Sequence, residues 1–292
     1  MLFSNAPSIC ASVPRDMRTT GLLLLLLGLL GLGHATRAQL ARSPEAAWGD
    51  EFAPARSNEA ESRSLQRAAP PADVALAHVV GGRATLYNQS DSTTPVGSLP
   101  VRTPVRRLNC ADAWCHVRTE AGRTGFVPEA AVSNVWIYVS KGDRRLFLYR
   151  GPRLVDTFEI DVGYNTFADK KRQGSPSRRD HWRTPEGVFY VVDKRPRSEF
   201  YKALVLNYPT TADAERGLRQ GLISQREYQA IVQAQQDRRM PPMGTELGGW
   251  IEIHGEGTGG ATNWTQGCVA VRNAVMNTLW GDVKVGTPVL IE

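Results

Sequence analysis

Strict two-residue alternation dominates the middle of this chain and does most to limit its fold. Val135, Ile137 and Val139 alternate with Trp136 and Tyr138. A Lys141-Gly142-Asp143 turn leads to Leu146-Phe147-Leu148-Tyr149, and after Gly151-Pro152 the positions Leu154, Asp156, Phe158, Ile160 and Val162 repeat the alternation. A period of two puts successive side chains on opposite faces of a strand. Runs of this kind joined by tight turns fold as antiparallel hairpins, which excludes a helical bundle. Further strand-like runs are Val188 to Val192, Ala203 to Leu206, Trp250 to His254, Cys268 to Val271 and Val283 to Ile291. A helical insert at about 212–240 interrupts them. Ser224-Gln225-Arg226-Glu227 reads as a capping box, Tyr228, Ile231 and Val232 supply an apolar stripe, and Pro241 ends the helix. Asn273 is expected to cap a C-terminal helix bearing Val275, Met276, Leu279, Trp280 and Val283 on one face.

Upstream, residues 74–133 carry short apolar runs at close spacing, among them Ala84-Thr85-Leu86-Tyr87, Gly97 to Val101, Trp114 to Thr119 and Thr124 to Pro128. About sixty residues of this pattern predict a small β-barrel. Residues 39–73 are rich in Ala, Pro, Ser, Glu and Arg without apolar periodicity and read as a disordered linker. Residues 1–38 read as a secretory signal peptide: Arg15 and Arg18 precede the run Gly21 to Gly33, and cleavage is expected after Ala38, with Ala35 the alternative cut and Met17 an alternative start. The protein is therefore expected to be exported, to the periplasm or cell envelope.

The chain has 292 residues, 35 Lys and Arg, 29 Asp and Glu, and a formal net charge of +6. That surplus is mild and comes without a nucleic-acid motif, so no nucleic-acid partner is expected. One apolar run, too short for a confident span, excludes a polytopic membrane protein. If Cys10 leaves with the signal, three cysteines remain. Cys110 and Cys115 can bridge in an oxidising compartment, with Cys268 left over as a reactive thiol; three buried thiols are the alternative.

The chemically informative segment is Ile251-Glu252-Ile253-His254-Gly255, followed by Asn263-Trp264-Thr265-Gln266-Gly267-Cys268-Val269-Ala270-Val271. His254 ends an alternating strand, and Gly255, Gly257, Gly259 and Gly260 follow it. Cys268 opens the next strand directly after Gly267. A thiol attacks as its thiolate, and an adjacent imidazole takes its proton and returns it to a leaving amine. The Gly255 backbone can orient the imidazole, and the N–H groups of Gly267 and Cys268 can form an oxyanion hole. His34, His78, His116 and His181 show no ligand spacing with one another or with the cysteines, so no metal and no cofactor is expected.

These residues closely resemble the L,D-transpeptidase catalytic domain (YkuD-type). The resemblance extends to Arg183-Thr184-Pro185-Glu186-Gly187-Val188-Phe189, to the Ala203 to Pro209 strand ending in Tyr-Pro, and to Gly286-Thr287-Pro288-Val289. It covers nearly all of 134–292, which is expected to fold on its own. The stretch Trp114 to Val132 resembles the last strands of a bacterial Src-homology-3-like barrel, a module that usually binds wall glycan or peptide. The implied fold is mostly β: a small Src-homology-3-like β-barrel at 74–133, then an L,D-transpeptidase-type β-sandwich at 134–292 with a helical insert and a C-terminal helix. The resemblance implies Cys268 as nucleophile, His254 as base and acid, Gly255 as its orienting backbone, and Gly267 with Cys268 as oxyanion hole. Its substrates would be peptidoglycan stem peptides, cross-linked diamino acid to diamino acid through a cysteine thioester, with carbapenem-type β-lactams as covalent inhibitors and no stable protein partner. Many members carry Ser-His-Gly-Cys and an Arg soon after the Cys. Here Thr265-Gln266 and Ala270 stand in those places, which marks a subfamily and leaves Arg272 a weak candidate for the substrate carboxylate.

Around this centre, Trp264, Thr265, Gln266 and Tyr208 are candidate substrate contacts, with Trp264 and Tyr208 equally able to be core. Glu252 shares a strand face with His254 but is expected at the surface, and the basic stretch Lys170-Lys171-Arg172 is expected to be a solvated loop. The insert is expected to lie over the cleft as a lid. Two other activities fit the same residues: an L,D-carboxypeptidase in which water resolves the thioester, or a non-catalytic wall-binding protein.

Overall fold

The computed structural model describes residues 75–292. The expected signal peptide and linker, 1–38 and 39–73, lie outside the described residues. The first module is a seven-stranded sheet of β1 (Ala75–Val79), β2 (Ala84–Tyr87), β3 (Pro95–Leu99), β4 (Pro104–Ala111), β5 (Trp114–Thr119), β6 (Thr124–Pro128) and β7 (Val132–Ser133). The spatial order is β3-β2-β6-β5-β4-β1-β7, all antiparallel. β3 and β7 are its edges and do not pair with each other, so the expected closed barrel is not formed. Every strand buries apolar side chains in one core of Val79, Leu86, Leu99, Val105, Val117, Val127, Val132 and their neighbours, so the core is complete without a β3–β7 ladder. Cys110 and Cys115 face each other across the β4–β5 hairpin and are disulfide-bonded.

The second module begins with the hairpins read from the alternation: β8 (Val135–Ser140), β9 (Arg145–Arg150) and β10 (Arg153–Glu159). β10 is an edge strand with a bulge at Leu154/Asp156, and Leu154 is exposed. The alternation there marks a ladder, and its apolar face meets the core only from Phe158 onward, with Ile160 and Val162 fully buried. The main sheet continues with β12 (Gly187–Ser198), β13 (Tyr201–Leu206), β14 (Glu252–His254), β16 (Val269–Ala270) and β17 (Pro288–Ile291), in the order β10-β9-β8-β17-β12-β13-β14-β16. β11 (Val162–Gly163) and β15 (Asn263–Thr265) form a separate parallel pair. β12 pairs with β17 through its first four residues and with β13 through the rest, so it joins the two halves of the sheet. Both halves and the C-terminal helix bury one core that includes Ile137, Leu148, Phe189, Leu206, Ile253, Val269, Met276 and Leu279.

The insert holds two helices, α1 (Thr211–Arg219) and α2 (Gln225–Gln236). The Ser224/Glu227 capping box of α2 is present in both directions. α1 starts on a second box, Thr210/Asp213, that uses the shorter Asp. The helices pack on each other and on Leu247 through Ala214, Ile223 and Ile231. The C-terminal helix α3 (Asn273–Asp282) begins one residue earlier than expected, with Arg272 and not Asn273 as its N-cap. Asn273 is committed elsewhere: its Oδ1 accepts from Glu256 N–H at 2.8 Å and its Nδ2 donates to Glu256 Oε1 at 2.7 Å.

The two modules belong to one compact unit. Gly81 N–H donates to Val285 O at 2.8 Å, Arg102 lies over the Tyr190 ring, and Arg238, just beyond α2, donates to Pro100 O, Val101 O and Thr103 Oγ1. Among the described residues no helix is long and apolar enough to cross a membrane.

Candidate active site

β14 and β16 run side by side in parallel, with Ile253 opposite Val269 and His254 opposite Ala270. Ile253 and Val269 enter the large core. Side chains alternate, so His254 and Cys268 project from the opposite face. They are diagonal neighbours on adjacent strands, a relation whose Cα atoms lie about 7–8 Å apart and within reach of long side chains. Phe200 packs against Cys268 and stacks on the His254 ring with centroids 4.5 Å apart.

His254 is fully buried, and its Nδ1 lies 2.6 Å from Gly255 O. That contact assigns the proton to Nδ1 and leaves Nε2 as an acceptor, with no hydrogen-bond partner among the described residues. Burial pushes the imidazole down to about 4 against the opposing pull of the Gly255 carbonyl, so the ring is neutral at pH 7. The close fit requires glycine at 255. A Cβ there would meet Phe200 O at 2.8 Å and the Asn273 amide oxygen.

Cys268 is 1% exposed and its Sγ lies 3.3 Å from Trp250 O, the position an S–H donor would take. The sequence carries four cysteines, and parity leaves one over only once the segment bearing Cys10 is removed.

Thr265 closes the loop before Cys268. Its buried hydroxyl donates to Cys268 O at 2.6 Å and accepts from Gly267 N–H at 3.2 Å. This corrects the expected oxyanion hole, because the Gly267 N–H is consumed inside the loop. It also removes Thr265 from the candidate substrate contacts, since its hydroxyl points inward. Gly267 adopts φ +135°, and a Cβ there would lie 2.5 Å from Arg183 O. Gln266 is half-buried on the same loop.

Other expectations change as well. Tyr208 is core: it has no exposed surface and its hydroxyl donates to Leu247 O at 2.9 Å. Arg272 is exposed, with Nη2 on Gly259 O at 3.0 Å, where it braces the glycine-rich loop. Trp264 is half-buried, edge-on to His254, with Nε1 donating to Asp161 Oδ2 at 2.9 Å. Glu252 is fully buried: Arg195 from β12 reaches to within 3.6 Å of Oε1 and lies over the Trp250 ring, covering that face of β14. Lys170 is also buried, against Gln266 O. The insert helices brace the following segment, and Trp250 in that segment, not a helix, reaches the sulfur.

Asp161 was not visible as a site residue. It is fully buried, and its carboxylate accepts from Thr258 N–H and hydroxyl, Thr262 N–H and hydroxyl, and Trp264 Nε1, at 2.6–3.0 Å. Burial alone would raise its carboxyl, but these donors hold it below the ordinary value. Asp161 thus organises the loop linking His254 to Cys268. Its only sequence signal is a polar residue between Ile160 and Val162.

Residues 134–291 match the L,D-transpeptidase catalytic domain family YkuD. The chain belongs to that family. Among solved structures, it is similar to an L,D-transpeptidase from Xylanimonas cellulosilytica, at 19% identity over 55% of this chain and 61% of that one, with a TM-score of 0.34. It is similar to the helical cell shape determining protein Pgp2 from Campylobacter jejuni, at 21% identity over 55% and 47%, TM-score 0.35. It is also similar to an L,D-transpeptidase from Mycobacterium smegmatis, at 13% identity over 80% and 85%, TM-score 0.34. The chain thus spans about half to three fifths of the length of the first two. No curated protein matches it. Among the described residues no group of three His, Cys, Asp or Glu is placed to hold a metal ion.

Proposed function

We propose that this protein is an exported peptidoglycan L,D-transpeptidase working in the cell envelope, with the reduced thiol of Cys268 as nucleophile. The observation that carries the reading is His254: a buried neutral imidazole, tautomer set by Gly255 O, its other nitrogen without a hydrogen-bond partner among the described residues, on the same strand face as Cys268. Nε2 takes the thiol proton, and the thiolate attacks the carbonyl joining the diamino acid of a tetrapeptide stem to terminal D-Ala. The Cys268 N–H is the loop donor nearest the developing oxyanion. The tetrahedral adduct collapses, the C–N bond breaks, and imidazolium protonates the departing D-Ala amine. The amine of a second stem then attacks the thioester and passes its proton to His254. The C–S bond breaks, the thiol is restored, and a diamino acid-to-diamino acid cross-link remains.

The test is mass analysis of purified muropeptides after incubation with reduced protein. Cross-linked dimers support transpeptidation, whereas trimmed tripeptides assign a carboxypeptidase. Unchanged tetrapeptides together with no carbapenem adduct on Cys268 would favour a wall-binding role. Cys268→Ala and Cys268→Ser should be folded and inactive, and activity retained in Cys268→Ala overturns the mechanism.

A further inference from the structure

We infer that Lys170 is a positioning residue for the nucleophile loop, fixing the Gln266–Gly267 peptide and holding a positive charge behind Cys268. The inference rests on the reading of Cys268 as nucleophile and adds a group that neither the motif nor the hydrogen-bonded histidine supplies.

Three observations converge on it. Lys170 is 1% exposed, although its neighbour Lys171 is exposed, so one member of a basic run has been drawn into the interior. Its Nζ donates to Gln266 O at 3.4 Å, its one side-chain hydrogen bond among the described residues. An ammonium has three donors, and a buried one with a single long bond is costly unless its charge is used. Finally, a peptide plane carries its C=O and N–H on opposite sides. Lys170 holds the oxygen of the Gln266–Gly267 peptide, and the Thr265 hydroxyl holds its N–H. The plane entering Gly267 is therefore clamped from both ends, and it sets the direction in which Cys268 leaves the loop.

The surroundings keep Lys170 in place. Gly248, at φ +86°, lies against its stem, where a Cβ would come 3.2 Å from Cε, and Arg216 of α1 donates to the Lys170 carbonyl at 3.0 Å. The same 248–250 segment that covers the ammonium also puts Trp250 O against Sγ. Several charged groups face this region. Asp169 and Arg183 flank the ammonium, Asp213 and Arg216 come from α1, Glu246 comes from the covering segment, and His254 shares a strand face with Cys268. Burial lowers Lys170 to about 8, with Asp169 opposing and Arg183 assisting, so it is charged at pH 7 and loses that charge above about pH 8. In a water-poor site a fixed cation favours both the thiolate and the oxyanion formed from it.

The experiment follows alkylation of Cys268 by iodoacetamide against pH in the reduced full chain, reading the Cys268 peptide by mass spectrometry. Lys170→Met should move the thiol midpoint up by about one pH unit and slow alkylation at pH 7 about tenfold. kcat should fall with KM for the donor stem little changed. Lys170→Gln keeps a donor for Gln266 O without the charge. It should shift the midpoint similarly, and it serves if the Met variant does not fold. An unchanged midpoint in a folded variant overturns the inference, as does a rise in KM at constant kcat, which would make Lys170 a substrate contact. If the parent thiol alkylates like one in the unfolded chain, the nucleophile reading itself falls. A perturbed parent thiol with an unperturbed variant overturns only the role of Lys170.

Discussion

Replacing Glu252 by glutamine should make the protein more stable in mild alkali and leave it nearly unchanged in acid. Glu252 sits at the start of β14 with no exposed surface, and neither carboxylate oxygen has a hydrogen-bond partner among the described residues. Arg195 at 3.6 Å is an ion pair too long to be a hydrogen bond. Burial raises the carboxyl from 4.5 to about 7, with Arg195 opposing. The folded state thus holds this proton more tightly than the unfolded chain does. The corresponding stability is complete below pH 4.5 and is lost as pH rises through 7, at about 1.4 kcal/mol per pH unit and about 3 kcal/mol in all. Glutamine has nearly the same shape and no charge to desolvate. His254 and His78, both lowered to about 4 by burial, act in the opposite sense: their stability is present above pH 6.5 and is lost as pH falls toward 4. Both are common to parent and variant and cancel in the difference. Urea denaturation of the two proteins at pH 5, 6, 7 and 8 should give curves that agree at pH 5 and separate by about 2–3 kcal/mol at pH 8. Parallel stability curves across that range would refute the argument, because they would mean that Glu252 is solvated or already ionised without cost.

His254→Gln should abolish turnover and flatten the acid limb of stability between pH 6.5 and 4, seen by activity assay and by melting at stepped pH. Gly255→Ala drives a methyl group to within 2.8 Å of Phe200 O, and a loss of about 1–3 kcal/mol in thermal melts is expected, with activity falling further than stability. Asp161→Asn keeps the shape but turns an NH2 donor toward groups that themselves donate. Turnover should drop at least about tenfold in a protein that still melts cooperatively, and unaltered kinetics would show that the 258–264 loop needs no such anchor.

Local signals carried much of the architecture. The alternation at 135–149 and the Ser224/Glu227 box depend on neighbouring residues alone, and β8, β9 and α2 follow them. What local pattern lacks is knowledge of what covers the second face of an element. Glu252 alternates like a surface residue, and only the arrival of Arg195 and Trp250 from distant segments buries it. Lys170 shares a basic run with Lys171, and the packing of the 243–250 segment separates them. The helical insert expected at about 212–240 contains α1, but no box marked its start, because that box closes with Asp213 in place of the longer Glu or Gln. At the site, the motif located His254 and Cys268, but the hydroxyl of Thr265 decides that Gly267 spends its N–H within the loop.

The Arg238 contact has a practical consequence for rebuilding this chain. One guanidinium nitrogen, carried on the turn after α2, is received by two carbonyls and a hydroxyl from the stretch between β3 and β4. Cutting before residue 134 would strip that cation of all three acceptors, so the catalytic domain has no inert boundary there. Exchange of the first module for another would succeed only where the newcomer offers a matching socket. A graft that ignores the socket should loosen the covering segment that ends at Trp250, and so alter the surroundings of the Cys268 sulfur.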